Sequence, residues 1–539
     1  MKHLTFPALL FLWVLALSFG LCTRPGIRGN VIALGTHTLQ AEIQPGLLHA
    51  YTLVLMDSDE LASIIVQGRQ VRTGIGTART TIQIPIGLKR LGLICETRHN
   101  SNPRNLIANL PLPERPWIHL LPFILISILF LYHFLHTRIS PGQAEIFSLS
   151  ALAASLWSVA IPWSQFSWDA YGHREYIYRI LATHSIPPSN ACSLCYHPPL
   201  YHILAAFVLG AAQTIGLETG RILEILSLGM VLTGIWFGLE AIRILFPAST
   251  AHPLQWIFSF CPQIWMLSGR LNNDVLIFCL GSLSFFYWVR SAQLTSNNRY
   301  LIFAGIAAGL MCWTKGNGLL WVVMLAWMAG TWDWKERGVA SAIILLVTAF
   351  PFMVLGIVFS GARSRFASHG GDLVIGNIAD QYINGQSFPL HFTDLWRIHL
   401  SGFLNSPFYA AQDTKYFLNT VIKSLAFGEV QLLPYYLNIF GYPGLVIISL
   451  LIIEFIRICL RCPHRILSWG PVCALGFVAL AMARLRYPFP TSQDPRYVVF
   501  LIYPILLGLS SLDTRKLQRY ARYWVLIFGG IEIIAITFH

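Results

Sequence analysis

The segment that starts at Trp163 reads WSQFSWDAYGHREYIYRILATHSIPPSNACSLCYHPPLYHIL, and it concentrates groups that can do acid–base chemistry. Asp169 stands four residues before His173, among Trp163, Trp168, Tyr171, Tyr176 and Tyr178. Those aromatic residues suit the headgroup layer of a membrane. Glycosyl transfer to a hydroxyl needs a base that takes the acceptor proton while the sugar carbon is attacked. A carboxylate at a membrane surface can supply it. If the leaving group is a phosphate, it departs as an anion and needs no proton. One carboxylate then suffices, unlike the pair that glycosidases use. The same Asp169 could instead cap an interfacial helix, and spacing alone does not separate the two readings.

The surrounding chain must place that acid at a membrane surface. Of 539 residues, 55% are hydrophobic and 11% charged, with a mean hydropathy of +0.58. A soluble chain would carry about 25% charged residues. Apolar runs long enough to cross a hydrocarbon core of about 30 Å recur throughout. The net charge of +13 is therefore a question of sidedness and not a nucleic-acid signal. Residues 1–22 read as a signal peptide or signal anchor. Residues 23–116 alternate like strands between Gly, Pro and Asn breaks and predict a small exported β-rich domain. A span and a cytosolic turn fill 117–142, and residues 143–539 form a helical membrane domain. Spans are expected near 118–136, 143–163, 221–246, 251–268, 274–290, 300–314, 316–332, 339–360, 437–459, 466–483, 498–512 and 523–538, thirteen with the first.

With the N-terminus in the cytosol, the clusters RICLRCPHR and DTRKLQRYAR fall in short cytosolic turns, as do Arg138, Arg243, Arg290 and Arg299. The long loops 164–220 and 361–436 then face outward. The apolar stretch 199–215 is read as an interfacial helix, because counting it as a span would put the basic clusters outside. The 361–436 loop is polar, Gly-rich and long enough to cover an acceptor groove.

This topology leaves Arg270, Lys315, Arg484, Arg486 and Arg496 at the outer face, where charge statistics disfavour them. A phosphate at headgroup depth is one partner that would hold them, and Arg can grip it bidentately. Pairing with Asp274 or Asp494, or with ordinary lipid phosphates, is the other reading; Asp274 could sit opposite Arg270 as a structural pair. Two Cys-x-x-Cys pairs, Cys192/Cys195 and Cys459/Cys462, fall on opposite faces and cannot share a metal ion. Cys192 and Cys195, on the exported side, could form a local disulfide, with a metal site using His197 or His202 as the alternative. Cys22 and Cys95 would share that oxidising side if the first span is kept.

The first outer loop resembles that of GT-C glycosyltransferases that use polyprenyl phosphate sugars, the protein O-mannosyltransferases and bacterial aminoarabinose transferases among them. The resemblance rests on an acid just after a span and on Tyr196-His197-Pro198-Pro199-Leu200-Tyr201. It continues in SGRLNNDVL (Ser268 to Leu276), GIAAGLMCWTKGNGLL (Gly305 to Leu320) and QDPRYVVFLIYPIL (Gln493 to Leu506), and covers about 143–539. It implies that Asp169 is the catalytic base, although Ala170 stands where many relatives carry a second acid. It also implies a polyprenyl phosphate sugar donor and a glycan, lipid or protein acceptor. His173 and His197 are candidates for positioning the acceptor or the loop, His197 by locking the Pro-Pro turn. Arg270, Lys315 and Arg496 are candidates for the donor phosphate.

The expected protein is thus an all-α polytopic GT-C-like enzyme with an exported β-rich domain. It is placed in a bacterial plasma membrane, acts on the non-cytosolic side and inverts the anomeric centre. No cofactor is assigned, and a divalent cation is left open. A transporter or flippase is the alternative, to be revived by inward-facing acids at mid-depth. A non-catalytic scaffold presenting the β-rich domain is a third reading.

Overall fold

The structure is a computed structural model of the 539-residue chain. It describes residues 121–160, 169–189, 191–192, 194–215, 219–293, 298–332, 338–359, 393–406, 416–427, 438–461, 463–486 and 495–538, together with seven strand segments before them. The expected span 1–22, Asp494 and the Cys22 and Cys462 partners lie outside the described residues, as do the side chains of Arg484 and Arg486. The chain divides into two compact units, one of them Met1–Ser127 with Gly216–Ile222, the other Ile128–Ile215 with Leu223–His539.

In the first unit the strand segments are β1 (Ile32–Ala33), β2 (Thr38–Ile43), β3 (Tyr51–Leu55), β4 (Leu61–Val66), β5 (Arg69–Thr73), β6 (Thr80–Ile84) and β7 (Leu91–Thr97). The order β1-β2-β7-β4-β5 is antiparallel, and β3 pairs with β6.

The rest is helical. The helices are α1 (Leu121–His136), α2 (Pro141–Ala160), α3 (Ala170–Thr183), α4 (Leu200–Thr214), α5 (Thr219–Leu245), α6 (Ala248–Ser259), α7 (Pro262–Trp265), α8 (Asp274–Gln293), α9 (Arg299–Thr314), α10 (Gly318–Trp332) and α11 (Gly338–Phe359). They continue as α12 (Leu400–Asn405), α13 (Phe417–Phe427), α14 (Asn438–Arg461), α15 (Pro463–Arg486), α16 (Ile502–Leu509) and α17 (Thr514–Phe538), with 3-10 turns at Met266–Gly269 and Pro495–Leu501.

Among the described residues, four segments are long and apolar enough to cross a membrane: Ile222–Leu245, Asp274–Gln293, Gly338–Phe359 and Gly441–Leu460. Some of the other expected spans are shorter or broken. The predicted span 251–268 is α6, α7 and a 3-10 turn in succession, because Pro262 opens a new helix after the chain leaves helical geometry at Cys261. The predicted span 498–512 begins as the 3-10 turn and becomes α16. Each break sits beside a residue of the candidate site, Arg270 or Arg496. The 361–436 segment, expected as a polar loop, contains the helices α12 and α13.

Close helix packing fixes the ends that matter. Gly305 and Gly309, four apart on α9, face α11. A methyl group on Gly309 would lie 2.8 Å from the Ala349 carbonyl oxygen, and one on Gly305 2.8 Å from that of Leu345. Small residues at this spacing let backbones approach where lipid supplies no hydrophobic drive. The same helix α9 ends at Thr314, with Lys315 as its C-terminal cap.

Candidate active site

Three elements end at one place in the second unit. Helix α8 opens with Asp274, helix α9 closes at Lys315, and the 3-10 turn 495–501 carries Arg496 against α8. Asn273 donates its amide to the Thr314 carbonyl over 3.3 Å and so ties the first two together. Asn317, just past Lys315, donates to the Tyr497 carbonyl over 2.6 Å and ties in the third.

The charges these elements carry form a chain. Lys315 Nζ lies 2.5 Å from Asp274 Oδ1. Arg496 Nε lies 3.6 Å from Asp274 Oδ2, and Arg496 Nη2 lies 3.9 Å from Asp169 Oδ2. Asn272 donates to Asp274 Oδ2 over 3.3 Å. Arg496 and Asp274 side chains are each only 2% exposed, while Asp169 is 49% exposed. Tyr497 offers its ring to both cations, with Lys315 Nζ 4.5 Å and the Arg496 guanidinium carbon 5.1 Å from its centroid. Arg496 also donates to the Tyr497 hydroxyl over 3.3 Å. Burial pushes that hydroxyl well above the usual phenol range, outweighing Arg496, so it stays protonated.

Pairing of the outer-face cations with Asp274, one of the two readings of the sequence, is observed for Lys315 and Arg496. Arg270, at the end of the 3-10 turn 266–269, is buried. Asp169 occupies the N-cap position of α3 but makes no capping hydrogen bond through its side chain. The carboxylate is directed to Arg496 instead, which removes the simplest structural reason for an acid at this position.

Behind Asp169 lies a stack of rings that joins α3 to the loop before α4 and to α4 itself. His173 Nδ1 and His202 Nε2 are 2.9 Å apart, so one ring donates to the other. His202 stacks on Tyr176 with centroids 4.0 Å apart. His173 stacks on His202 at 5.1 Å and on His197 at 5.8 Å. Tyr201 meets His173 edge-on. His173 and His202 are both buried, and burial holds both well below the ordinary histidine value. His202, Lys315 and Arg496 lower His173 further, and His197 lowers His202. A row of neutral rings in parallel planes is a packing arrangement. Among the described residues no group of three His, Cys, Asp or Glu side chains is placed to hold a metal ion. Cys192 and Cys195 form a disulfide that packs against Tyr176 at the base of the stack. Sequence reasoning gave no role to Tyr497 or to the His202–Tyr176 contact. The aromatic residue beside Arg496 in the motif was the available signal for the first.

Residues 196–358 match the family model described as dolichyl-phosphate-mannose-protein mannosyltransferase. The expected resemblance is borne out over that stretch, which contains His197, Arg270, Asp274 and Lys315. No curated protein matches the chain. Among solved structures, the apo oligosaccharyltransferase of Archaeoglobus fulgidus aligns with a TM-score of 0.43 and 13% identity, over 73% of this chain and 55% of that one. AglB from the same organism, in complex with an inhibitory peptide and a dolichol-phosphate, gives 0.41 and 13% over the same shares. ArnT from Cupriavidus metallidurans bound to undecaprenyl phosphate gives 0.33 and 14%, over 72% of this chain and 78% of that one. The chain thus spans little more than half the length of the archaeal enzymes.

Proposed function

We propose that the protein is a membrane glycosyltransferase that moves a sugar from a polyprenyl phosphate carrier to an acceptor hydroxyl. The observation that carries this reading is the pairing of a half-exposed carboxylate, Asp169, with a cation, Arg496, that is withdrawn from solvent. The mannosyltransferase family matched by 196–358 supports the donor class, since its description names a lipid-linked sugar phosphate.

In this reading Asp169 takes the proton of the acceptor hydroxyl as its oxygen attacks the anomeric carbon. The bond from that carbon to the phosphate oxygen breaks on the opposite side, so the anomeric centre inverts. The lipid phosphate leaves as an anion, and Arg496 and Lys315 stabilise its growing charge. Asp274 holds both cations in place before the donor arrives, and holding both substrates in line supplies much of the rate. The histidine stack and the Cys192–Cys195 disulfide fix α3, and with it Asp169. The exported side of the membrane and a β-rich domain at 23–116 belong to the same proposal, because the basic turns mark the opposite end as cytosolic.

The test is a transfer assay on purified protein, joined to mass analysis of envelope glycolipids and glycoproteins with and without the gene. The expected result is a sugar modification that disappears with the gene and is not restored by Asp169→Asn expressed at normal levels. Full restoration by that variant would remove Asp169 as the base.

One observation favours the transporter reading. Glu532 is buried within the expected span 523–538, ten residues beyond Arg522, and an inward-facing acid at that depth is what such a reading asks for. Glu532→Gln separates the two, since an enzyme working at Asp169 keeps its transfer rate.

A further inference from the structure

The segment before and within α12 combines two properties that seldom coexist in an aqueous loop. Its large apolar side chains point outward: Trp396 is 60% exposed, Ile398 52%, Leu400 70% and Leu404 75%. Its backbone acceptors, by contrast, are answered from within the protein. Lys423, fully buried on α13, donates to the Gly402 carbonyl over 2.9 Å. Tyr442, on α14, donates to the Leu404 carbonyl over 2.5 Å. Asn419 accepts from the His399 amide at 2.9 Å and donates to the His399 carbonyl at 2.8 Å.

In water, a six-residue helix leaves its last carbonyls to solvent at little cost. Here a buried lysine and a tyrosine are spent on two of them, and an asparagine on the His399 backbone that opens the helix, while the apolar side chains face out. That is the inverse of a solvated loop, and it suits a medium in which unsatisfied backbone groups are costly. The location agrees. Tyr442 belongs to α14, whose segment Gly441–Leu460 is long and apolar enough to cross a membrane. At the same end of α14, Ile439 is 66% exposed, so the apolar surface of the candidate span runs on toward Leu404.

We infer that residues 396–404 seat in the lipid leaflet beside α14, with Leu400 and Leu404 below the headgroups and Arg397 and Ser401 at their level. Leu400 and Leu404, four apart, share one helix face; Ser401 and Asn405 lie about 100° away from them. A short helix of this kind buries its apolar face about 5–10 Å into the boundary between headgroups and acyl chains. Helix α13 packs against α7 and the turn carrying Arg496, so the seated segment is braced on the same scaffold as the candidate site. The inference stands apart from the chemistry at Asp169.

The test uses the full chain in phosphatidylcholine–phosphatidylglycerol vesicles. Single variants Leu400→Cys, Leu404→Cys, Ser401→Cys and Asn405→Cys are labelled with an environment-sensitive fluorophore, and the signal of the parent protein treated identically is subtracted. The labels at 400 and 404 are expected to emit at shorter wavelength and to be quenched by lipids brominated along the acyl chain. The labels at 401 and 405 are expected to be quenched by aqueous iodide. The inference fails if iodide reaches all four labels alike. It also fails if the labels at 400 and 404 are shielded from both quenchers, which would mean that protein covers this face. Two positions per face keep the test decisive should one variant fail to fold.

Discussion

The two ends of the helical unit treat charge in opposite ways. At the end where α5 finishes and α17 begins, acids are withdrawn and cations reach out. Glu240 is 12% exposed and its partner Arg243 48%; Glu454 is 9% exposed, with Arg457 at 57% and Lys516 at 41%. Long cationic side chains that lie along the protein and end in water are the ordinary solution at a membrane surface. At the Asp169 end the order is reversed. Arg496 is 2% and Lys315 14% exposed, and the accessible group is an acid. A buried guanidinium loses its hydration and is kept only where something inside repays it. Asp274 repays part of that, and an incoming anion would repay more. In the proposed function, the contrast separates charges that set orientation from charges that do chemistry.

The sharpest way to break this comparison is Asp169→Asn, which keeps shape and removes the proposed base. Transfer should fall by about 10²–10⁴-fold, with little change in thermal stability, because this half-exposed side chain caps nothing. Arg496→Met comes next. Loss of one donor to a developing negative charge should cost about 10²–10³-fold in turnover, and Arg496→Lys should recover only part of it, since the two-sided contact to Asp169 and Asp274 needs the planar guanidinium. Asp274→Ala should instead be read in stability: leaving Lys315 and Arg496 without the carboxylate between them should cost about 3–5 kcal/mol, visible as a lower Tm in detergent. Equal damage from Asp169→Asn and Asp274→Ala in both readouts would erase the distinction between a reacting acid and a holding one.

Much of this was legible in the residues. Each of the four motifs contributes one partner of the cluster: Asp169 before the Pro-Pro turn, Asp274 after Asn272-Asn273, Lys315 after Trp313-Thr314, and Arg496 before Tyr497. Pairing of these cations with Asp274 was one of two readings, but which of them it takes was not legible. Arg270 is four residues from Asp274, and local spacing suggested that pair, whereas the observed partners are 41 and 222 residues away. Only the antiparallel run of α8 and α9 and the return of the chain at 495 bring them together. Helix breaks were also hidden, because an apolar run reads alike whether continuous, as in α11, or interrupted, as at Cys261-Pro262. The ring stack escaped for a similar reason: His173 and His202 are polar letters in the sequence, and only burial makes them packing residues.

That stack gives a pH prediction of intermediate size. His173 and His202 are held neutral by burial, while in the unfolded chain they titrate near the ordinary histidine value of 6.5. Below that value the unfolded chain binds more protons than the folded one, so stability should fall as pH drops from about 6.5 toward the lowered folded values, and stay level above it. His202→Gln, which cannot gain that charge, should flatten the slope in a Tm-versus-pH series.

The smallest effect is expected at the opposite end. Lys516 Nζ lies 2.6 Å from Glu454, and Arg457 lies 3.0 Å from the same carboxylate. Lys516→Met therefore leaves Glu454 with a partner, and both cations are largely in water, where screening reduces such a pair to roughly 0–1 kcal/mol. Neither transfer rate nor Tm should move much. What should move is orientation: Lys516 belongs to the basic turn 513–522, and combined neutralisation of Arg515, Lys516, Arg519 and Arg522 should weaken the bias that, in the proposed topology, keeps this turn cytosolic. Accessibility of a cysteine placed in the turn, measured in sealed vesicles, reads this directly. If the quadruple variant kept its sidedness while the single variant Lys516→Met abolished transfer, the two ends would have exchanged roles.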